Sequence, residues 1–177
     1  MCETKEGVQI TEKVIQDLSS VLREKGYRTL VLKDEEEVID YIHRIPNDGI
    51  FGLGESITTC TLKIRNLLAR KGRIIFYGWN GDINYNRSLE TFEEHPLPDY
   101  FLTRINAITL KGEMLLKDYS RKALQENRFP RKVFAFAGCN RIVDVFDEAP
   151  SLHKYSVFKT KPEHVDFTVI LLPYINY

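Results

Sequence analysis

The chain has 177 residues, of which 43% are hydrophobic and 28% are charged, and its 25 basic residues balance its 25 acidic residues. This length and composition are typical of one globular domain and exclude disordered, collagen-like and coiled-coil chains. The zero net charge argues against a nucleic-acid-binding protein. The longest apolar runs are far shorter than the ~20 residues that cross a bilayer, and residues 1–6 do not resemble a secretory signal. We therefore expect a single cytoplasmic domain over residues 1–177, with neither a nucleic-acid nor a membrane partner.

The cysteines and histidines show no pattern of a metal site. Cys2, Cys60 and Cys139 are odd in number and far apart, so we expect no disulfide framework and a reducing compartment. For Cys139, a small buried role is favoured over a nucleophilic one because no partner histidine can be identified. The four histidines have no spacing that places two of them on one helix face as ligands. The sequence therefore predicts no metal and indicates no particular cofactor.

Two helical patterns and one strand pattern make up the N-terminal segment, residues 1–48. Apolar residues recur every three or four positions in both helices, and Gly26 is a stop signal between the first helix and the strand. Asp34 followed by Glu37 resembles a capping box at the start of the second helix. We expect this segment to pack on the remainder of the domain. Its predicted elements are a helix over 11–25, a strand over 27–32 and a helix over 34–45.

Buried strands, glycine turns and helices continue to alternate beyond residue 49, interrupted by one predicted hairpin with Lys111-Gly112 at its turn. This alternation predicts an α/β fold with a mainly parallel sheet and helices on both faces. Such sheets bind ligands outside the carboxyl ends of their strands, so we expect the site in the loops that follow them. The predicted strands are 50–53, 73–79, 100–102, 105–109, 113–116, 132–137 and 165–172, and the predicted helices are 59–70, 119–127 and 142–148.

The loop over residues 52–59 has the groups that an anion site needs. Two glycines allow a tight turn, and three hydroxyl side chains lie at the start of a predicted helix, where exposed N–H groups favour phosphate or carboxylate. The same residues also suit a capped strand-to-helix turn without a ligand. Glu55 is either a base or nucleophile in a cleft or a solvent-facing residue. The candidate ligand-binding residues of this loop are Gly52, Gly54, Ser56, Thr58 and Thr59.

Two later loops add amide and basic groups that are expected at the same edge of the sheet. Such groups supply hydrogen bonds and positive charge to a bound anion, although each cation also fits a solvated surface position. Asp118 joins Glu55 as a candidate acid, base or nucleophile. The candidate ligand-binding residues are Asn106, Lys111, Gly112, Arg121, Gly138, Asn140 and Arg141, and Arg104 and Lys117 are further cations within reach.

Three motifs, in order along the chain, resemble the LUD family (lactate-utilisation domain, formerly DUF162). The best match is residues 99–115, which contain an aspartate, an apolar strand, Asn-Ala-Ile-Thr and a glycine hairpin. Residues 133–143 resemble the family's apolar strand followed by Ala-Gly-x-Asn-Lys-Ile-Val, and residues 52–58 resemble its Gly-x-Gly-x-Ser-x-Thr loop. Lys111 stands where the family usually has an acidic residue. The resemblance extends over residues 50–150.

The resemblance implies the fold shared by ribose-phosphate isomerases, glucosamine-phosphate deaminases and CoA transferases, in which the glycine-serine-threonine loop holds the anionic substrate. It implies a bacterial protein that binds a small anionic metabolite and supports lactate or related organic-acid utilisation, with an iron–sulfur oxidoreductase subunit as a partner. Asp118 and Arg121 match part of the family's Asp-Gly-x-Gly-Asn-Arg pattern. Residues 151–177 lack the cysteine-rich tail of many relatives, so we do not expect this chain to hold an iron–sulfur cluster.

Two other functions remain open at the level of sequence. One is a sugar-phosphate isomerase or CoA-linked transferase, with Glu55 or Asp118 as the reacting carboxylate and Lys111 or Arg141 positioning the anion. The other is a non-catalytic assembly subunit of an oxidoreductase complex, which would expose an apolar patch and lack a polar pocket. The sequence also leaves open a homo-oligomer.

Overall fold

The computed structural model describes residues 2–3, 9–46, 49–54, 67–68, 70, 73–77, 98–117, 130–146 and 155–173. The helix predicted over 119–127 lies outside these residues, as does most of the helix predicted over 59–70, of which Leu67 and Leu68 are helical. In chain order the elements are β1 (Cys2–Glu3), β2 (Gln9–Ile10), α1 (Glu12–Glu24), β3 (Arg28–Val31), α2 (Glu35–His43), β4 (Ile50–Gly54), β5 (Arg73–Tyr77), β6 (Tyr100–Arg104), β7 (Ala107–Thr109), β8 (Met114–Leu116), β9 (Lys132–Gly138), a 3-10 turn (Cys139–Arg141), β10 (Ile142–Val143), β11 (Ser156–Phe158) and β12 (Asp166–Leu172).

A six-stranded, fully parallel sheet lies at the centre of the described fold, in the order β3-β12-β9-β6-β4-β5. Its central strand β9 is a continuous apolar run, as expected for a strand that is covered on both faces. Alternate residues of β9 belong to two separate apolar cores: Val133 and Ala135 to one, Phe134 and Phe136 to the other. The predicted α/β fold with a mainly parallel sheet is confirmed.

The helices α1 and α2 cover opposite faces of this sheet. α1 begins at Thr11, whose hydroxyl accepts a hydrogen bond from the N–H of Val14, and α2 begins at Asp34, whose carboxylate accepts one from the N–H of Glu37. Each helix then buries one apolar stripe in the core on its own side of the sheet. The buried apolar residues are Ile15, Leu18 and Leu22 of α1 and Val38 and Ile42 of α2.

A second, four-stranded sheet in the order β10-β7-β8-β11 packs on the same side as α1, because its buried residues Ile108, Met114 and Phe158 share the core of that helix. Its strands β7 and β8 form the antiparallel hairpin that the sequence predicted. β7 begins just after β6 ends, and β10 begins just after β9 and the 3-10 turn. The small sheet is therefore connected directly to the carboxyl ends of two neighbouring strands of the large sheet.

The prediction of a helix over residues 142–148 is wrong. Ile142 and Val143 form β10 and pair in parallel with Ile108 and Thr109 of β7. Both are β-branched residues that favour strands, and an apolar cluster this short has no clear periodicity. Within the ranges that the structure describes, no helix is long and apolar enough to cross a membrane.

Candidate ligand site at the carboxyl edge of the sheet

The carboxyl ends of β4, β6 and β9 lie side by side. Leu53 of β4 pairs with Leu102 of β6, which in turn pairs with Phe134 of β9. Since neighbouring strands are ~4.8 Å apart, the ends of β4 and β9 are separated by about 10 Å, with β6 between them. Residues that follow these three strands can therefore contact one small molecule.

Gly52 and Gly54 both lie within β4 rather than in the loop after it. Gly52 is buried and pairs with Ile75 on one side and Phe101 on the other, so it belongs to the sheet ladder. Gly54 is the last residue of the strand and pairs with Tyr77. The strand predicted over 50–53 is thus one residue longer, and only Gly54 of the two glycines lies at the candidate site.

The end of β6 is tied to β9 and to the hairpin. The N–H of Ile105 donates to the carbonyl of Phe136 over 2.7 Å, and the N–H of Asn106 donates to the carbonyl of Leu115 over 2.8 Å. The Asn106 side-chain oxygen accepts a hydrogen bond from the N–H of Lys117 over 3.0 Å. Asn106 therefore lies at the predicted edge of the sheet, but its side-chain oxygen is engaged with the residue that follows β8.

Lys111 and Gly112 lie at the hairpin tip, away from the carboxyl edge. The N–H of Gly112 donates to the carbonyl of Thr109 over 2.8 Å, and a Cβ atom at Gly112 would lie only 3.2 Å from a methyl carbon of Val21 in α1. This part of α1 leads into the amino end of β3, which is the opposite edge of the parallel sheet. The structure does not bring these two residues together with Gly138.

The turn after β9 supplies the other polar groups of the site. Gly138 ends the strand, and Asn140 and Arg141 follow in the 3-10 turn. The side-chain oxygen of Asn140 is buried and has no hydrogen-bond partner among the described residues. Arg104, at the end of β6, and Arg141 are both partly buried, and each interacts with another group of the chain. An amide oxygen and two guanidinium groups thus lie at the ends of adjacent strands.

The bonding state of Cys139 differs from the prediction made for the cysteines. Its side chain is 1% exposed and belongs to the apolar core on the α1 side, as expected for a small buried residue. It is, however, disulfide-bonded, whereas the sequence predicted no disulfide framework and a reducing compartment. The spacing of three cysteines along a chain does not show which of them the fold brings together, so this contact had no signal in the sequence.

Asp99, the aspartate of the best-matching motif, lies at the other edge of the sheet. Its carboxylate accepts a hydrogen bond from the N–H of Ile50 over 2.9 Å, and its backbone N–H donates to the Ile50 carbonyl over 2.9 Å. Its own carbonyl accepts from the N–H of Lys132 over 3.0 Å. Asp99 thus joins the amino ends of β4, β6 and β9, which is a structural role.

Six of the predicted site residues lie outside the described part of the chain. They include both candidate reacting carboxylates and all three hydroxyl side chains of the glycine-serine-threonine loop. These residues are Glu55, Ser56, Thr58, Thr59, Asp118 and Arg121.

The fold and this edge define an α/β domain with a parallel sheet whose polar residues follow the carboxyl ends of neighbouring strands. The family model for the LUD domain matches residues 15–164, and the chain belongs to the LUD domain family.

Two solved structures match this chain. The crystal structure of a DUF162 family protein from Deinococcus radiodurans is 12% identical, with a TM-score of 0.57, and the match covers 93% of this chain and 99% of that one. The crystal structure of eIF2B beta from Chaetomium thermophilum is 15% identical, with a TM-score of 0.36, and the match covers 86% of this chain and 47% of that one. Comparison with curated proteins finds no match.

Proposed function

We propose that this protein binds a small anionic metabolite at the carboxyl edge of its parallel sheet and supports lactate or related organic-acid utilisation in the cytoplasm. The observation that carries the proposal is the adjacency of β4, β6 and β9, because it gathers Gly54, Arg104 and the turn after β9 at one edge. Membership in the LUD domain family supports the metabolic assignment. An iron–sulfur oxidoreductase subunit is the proposed partner.

The chemistry of this edge suits a carboxylate or a phosphate. A guanidinium group forms charge-assisted, often bidentate, hydrogen bonds to either anion. Arg104 and Arg141 are partly buried, so their interaction with an anion would be less screened by solvent than that of a surface lysine. The buried oxygen of Asn140 adds an acceptor for a hydroxyl group on the same ligand.

The test compares two variants that each remove one positive charge. Arg141→Gln changes the proposed site, and Lys111→Gln changes the exposed hairpin tip at the other end of the fold. Binding of L-lactate, pyruvate, ribose 5-phosphate, glucosamine 6-phosphate and CoA is measured by calorimetry on the wild type and both variants. We expect Arg141→Gln to weaken binding of the recognised anion by about tenfold to a hundredfold, the effect of losing one charge-assisted hydrogen bond, and Lys111→Gln to leave it unchanged.

A third variant, Asn140→Asp, keeps the side-chain shape and adds a negative charge beside the proposed anion. We expect it to abolish binding because like charges repel in a partly buried site. Equal affinity in all three variants, or no binding of any anion in the panel, would contradict the proposed function. Turnover of either sugar phosphate in this panel, or of a CoA ester tested beside it, would instead identify an enzyme.

A further inference from the structure

The disulfide at Cys139 lies in the middle of the turn after β9, between the candidate ligand residues Gly138 and Asn140. The chain contains two other cysteines, Cys2 and Cys60. The strand β1, which begins at Cys2, lies beside this turn, and Cα atoms of the two elements are within 8 Å of each other. A disulfide needs a Cα separation of roughly 4.4–6.8 Å, and this proximity makes Cys2 of β1 the candidate for the second cysteine.

The pairing of β1 with β2 points to the same partner. Cys2 lies opposite Ile10 in the antiparallel register, and Ile10 is buried in the same apolar core as Cys139. β1 and β2 pair over only two residues each, and so short a ladder is not stable by itself in water. A covalent bond to the turn would hold β1 in this position.

We propose that Cys2 and Cys139 form this disulfide and that it acts as a redox switch for the turn that carries Gly138, Asn140 and Arg141. The oxidised form fixes the turn against β1, and reduction releases β1 and loosens the turn. In a reducing cytoplasm the dithiol prevails until the glutathione pool becomes oxidised. The effect on ligand binding rests on the function proposed above, whereas the disulfide itself does not.

The oxidant in this proposal is glutathione disulfide. One cysteine thiolate attacks it, releases one glutathione and forms a mixed disulfide, and the second cysteine thiolate then displaces the other glutathione. Two cysteine thiols are oxidised, and one glutathione disulfide is reduced to two glutathione molecules. A dithiol such as dithiothreitol reverses the reaction and becomes a cyclic disulfide.

Peptide mapping of the full, non-reduced chain tests the bond. After equilibration with glutathione disulfide, we expect a cross-linked peptide pair that contains Cys2 and Cys139, and a free thiol at Cys60. A bond between Cys60 and Cys139, or three free thiols, would overturn the proposal.

Thermal unfolding tests whether the bond stabilises the fold. Dithiothreitol is expected to lower the Tm of the wild type and of the control variant Cys60→Ser by about 5–15 °C, the range for losing a disulfide that closes a long loop in a domain of this size. The variant Cys2→Ser should have the lower Tm already and show no response. Cys139→Ser is less informative because that side chain is buried in the core. A response of Cys2→Ser equal to that of the wild type would overturn the proposal.

Hydrogen exchange and ligand binding test the switch. We expect the amides of residues 138–141 to lose protection on reduction in the wild type and in Cys60→Ser, and L-lactate to bind the reduced form more weakly. Unchanged exchange in the turn, or equal L-lactate affinity in both forms, would overturn the switch. If neither L-lactate nor any other anion of the panel binds to either form, the result counts against the proposed function instead, and the exchange result alone then decides whether the disulfide controls the turn.

Discussion

At the scale of single residues, Tyr27 has a buried hydroxyl without a hydrogen-bond partner among the described residues. The side chain is 3% exposed, and its ring packs edge-on against Phe167, with 5.3 Å between the ring centroids. Burying an unsatisfied hydroxyl costs about 1–3 kcal/mol. We therefore expect Tyr27→Phe, which keeps the ring, to raise the free energy of unfolding by about 1–2 kcal/mol in urea titrations.

The control for this variant is Tyr155→Phe. Tyr155 is only partly buried, so water can reach its surroundings, and the substitution should change stability by less than about 0.5 kcal/mol. A loss of stability in Tyr27→Phe would show that its hydroxyl does form a hydrogen bond that stabilises the fold.

At the scale of elements, α2 depends on its N-terminal cap. The Asp34 carboxylate accepts a hydrogen bond from the N–H of Glu37 over 2.9 Å, and the Glu37 carboxylate accepts one from the N–H of Lys33 over 2.7 Å. Asp34→Ala removes the first of these bonds and should cost about 0.5–2 kcal/mol. Asp34→Asn retains an oxygen acceptor and should restore most of that stability. Equal losses in the two variants, measured by chemical unfolding, would show that charge rather than capping is what matters at this position.

The β7–β8 hairpin depends on Gly112. This residue has φ +72°, and an added Cβ would lie 3.3 Å from side-chain carbons of Leu22 and Lys25 in α1. Gly112→Ala should therefore cost more than the ~1 kcal/mol of the backbone conformation alone, because these side chains must also shift. Lys111→Ala, at the exposed neighbouring position, should be neutral. The destabilised variant should still bind the anion of the proposed site, and a selective loss of binding with no loss of stability would place Gly112 in the site after all.

At the scale of the whole molecule, most of the fold follows from local patterns. Residues of β9 alternate between two cores, and the caps at Thr11 and Asp34 mark the starts of the helices, so the order of elements was predictable. The small sheet was only partly predictable. β10 and β11 have two and three residues, and their pairing with β7 and β8 depends on contacts distant in sequence.

The candidate site was predictable where it depends on strand ends and not where it depends on packing. Gly138, Asn140 and Arg141 follow a recognisable buried strand, and the parallel sheet rule placed them correctly at its carboxyl edge. The hairpin residue Gly112 was misplaced because its sequence shows only the turn, while the contact with α1 is tertiary. The disulfide at Cys139 had no local signal for the same reason.

The stability of the whole molecule should fall at alkaline pH because two tyrosines are held neutral by burial. Burial raises the pKa of Tyr27 well above its ordinary value. Burial also raises the pKa of Tyr41, and the nearby Asp166 carboxylate acts in the same direction. The hydrogen bond of Tyr41 with Thr168 and the charge of Arg28 lower this pKa but do not cancel the rise. A raised native pKa means that this stability is fully present below the unfolded-state value of about 10 and is lost as pH rises beyond it.

The slope of this loss can be measured. Each tyrosine that stays neutral in the native state while it ionises in the unfolded chain should lower the free energy of unfolding by about 1.4 kcal/mol per pH unit. Urea unfolding followed by circular dichroism between about pH 8 and pH 11 should therefore show a shallower decline in Tyr27→Phe than in the wild type. Burial of Tyr27 among apolar side chains opposes ionisation of its phenol in the folded chain. Parallel curves for Tyr27→Phe and the wild type would contradict this, because they would mean that the phenol ionises equally well in the folded and unfolded chain.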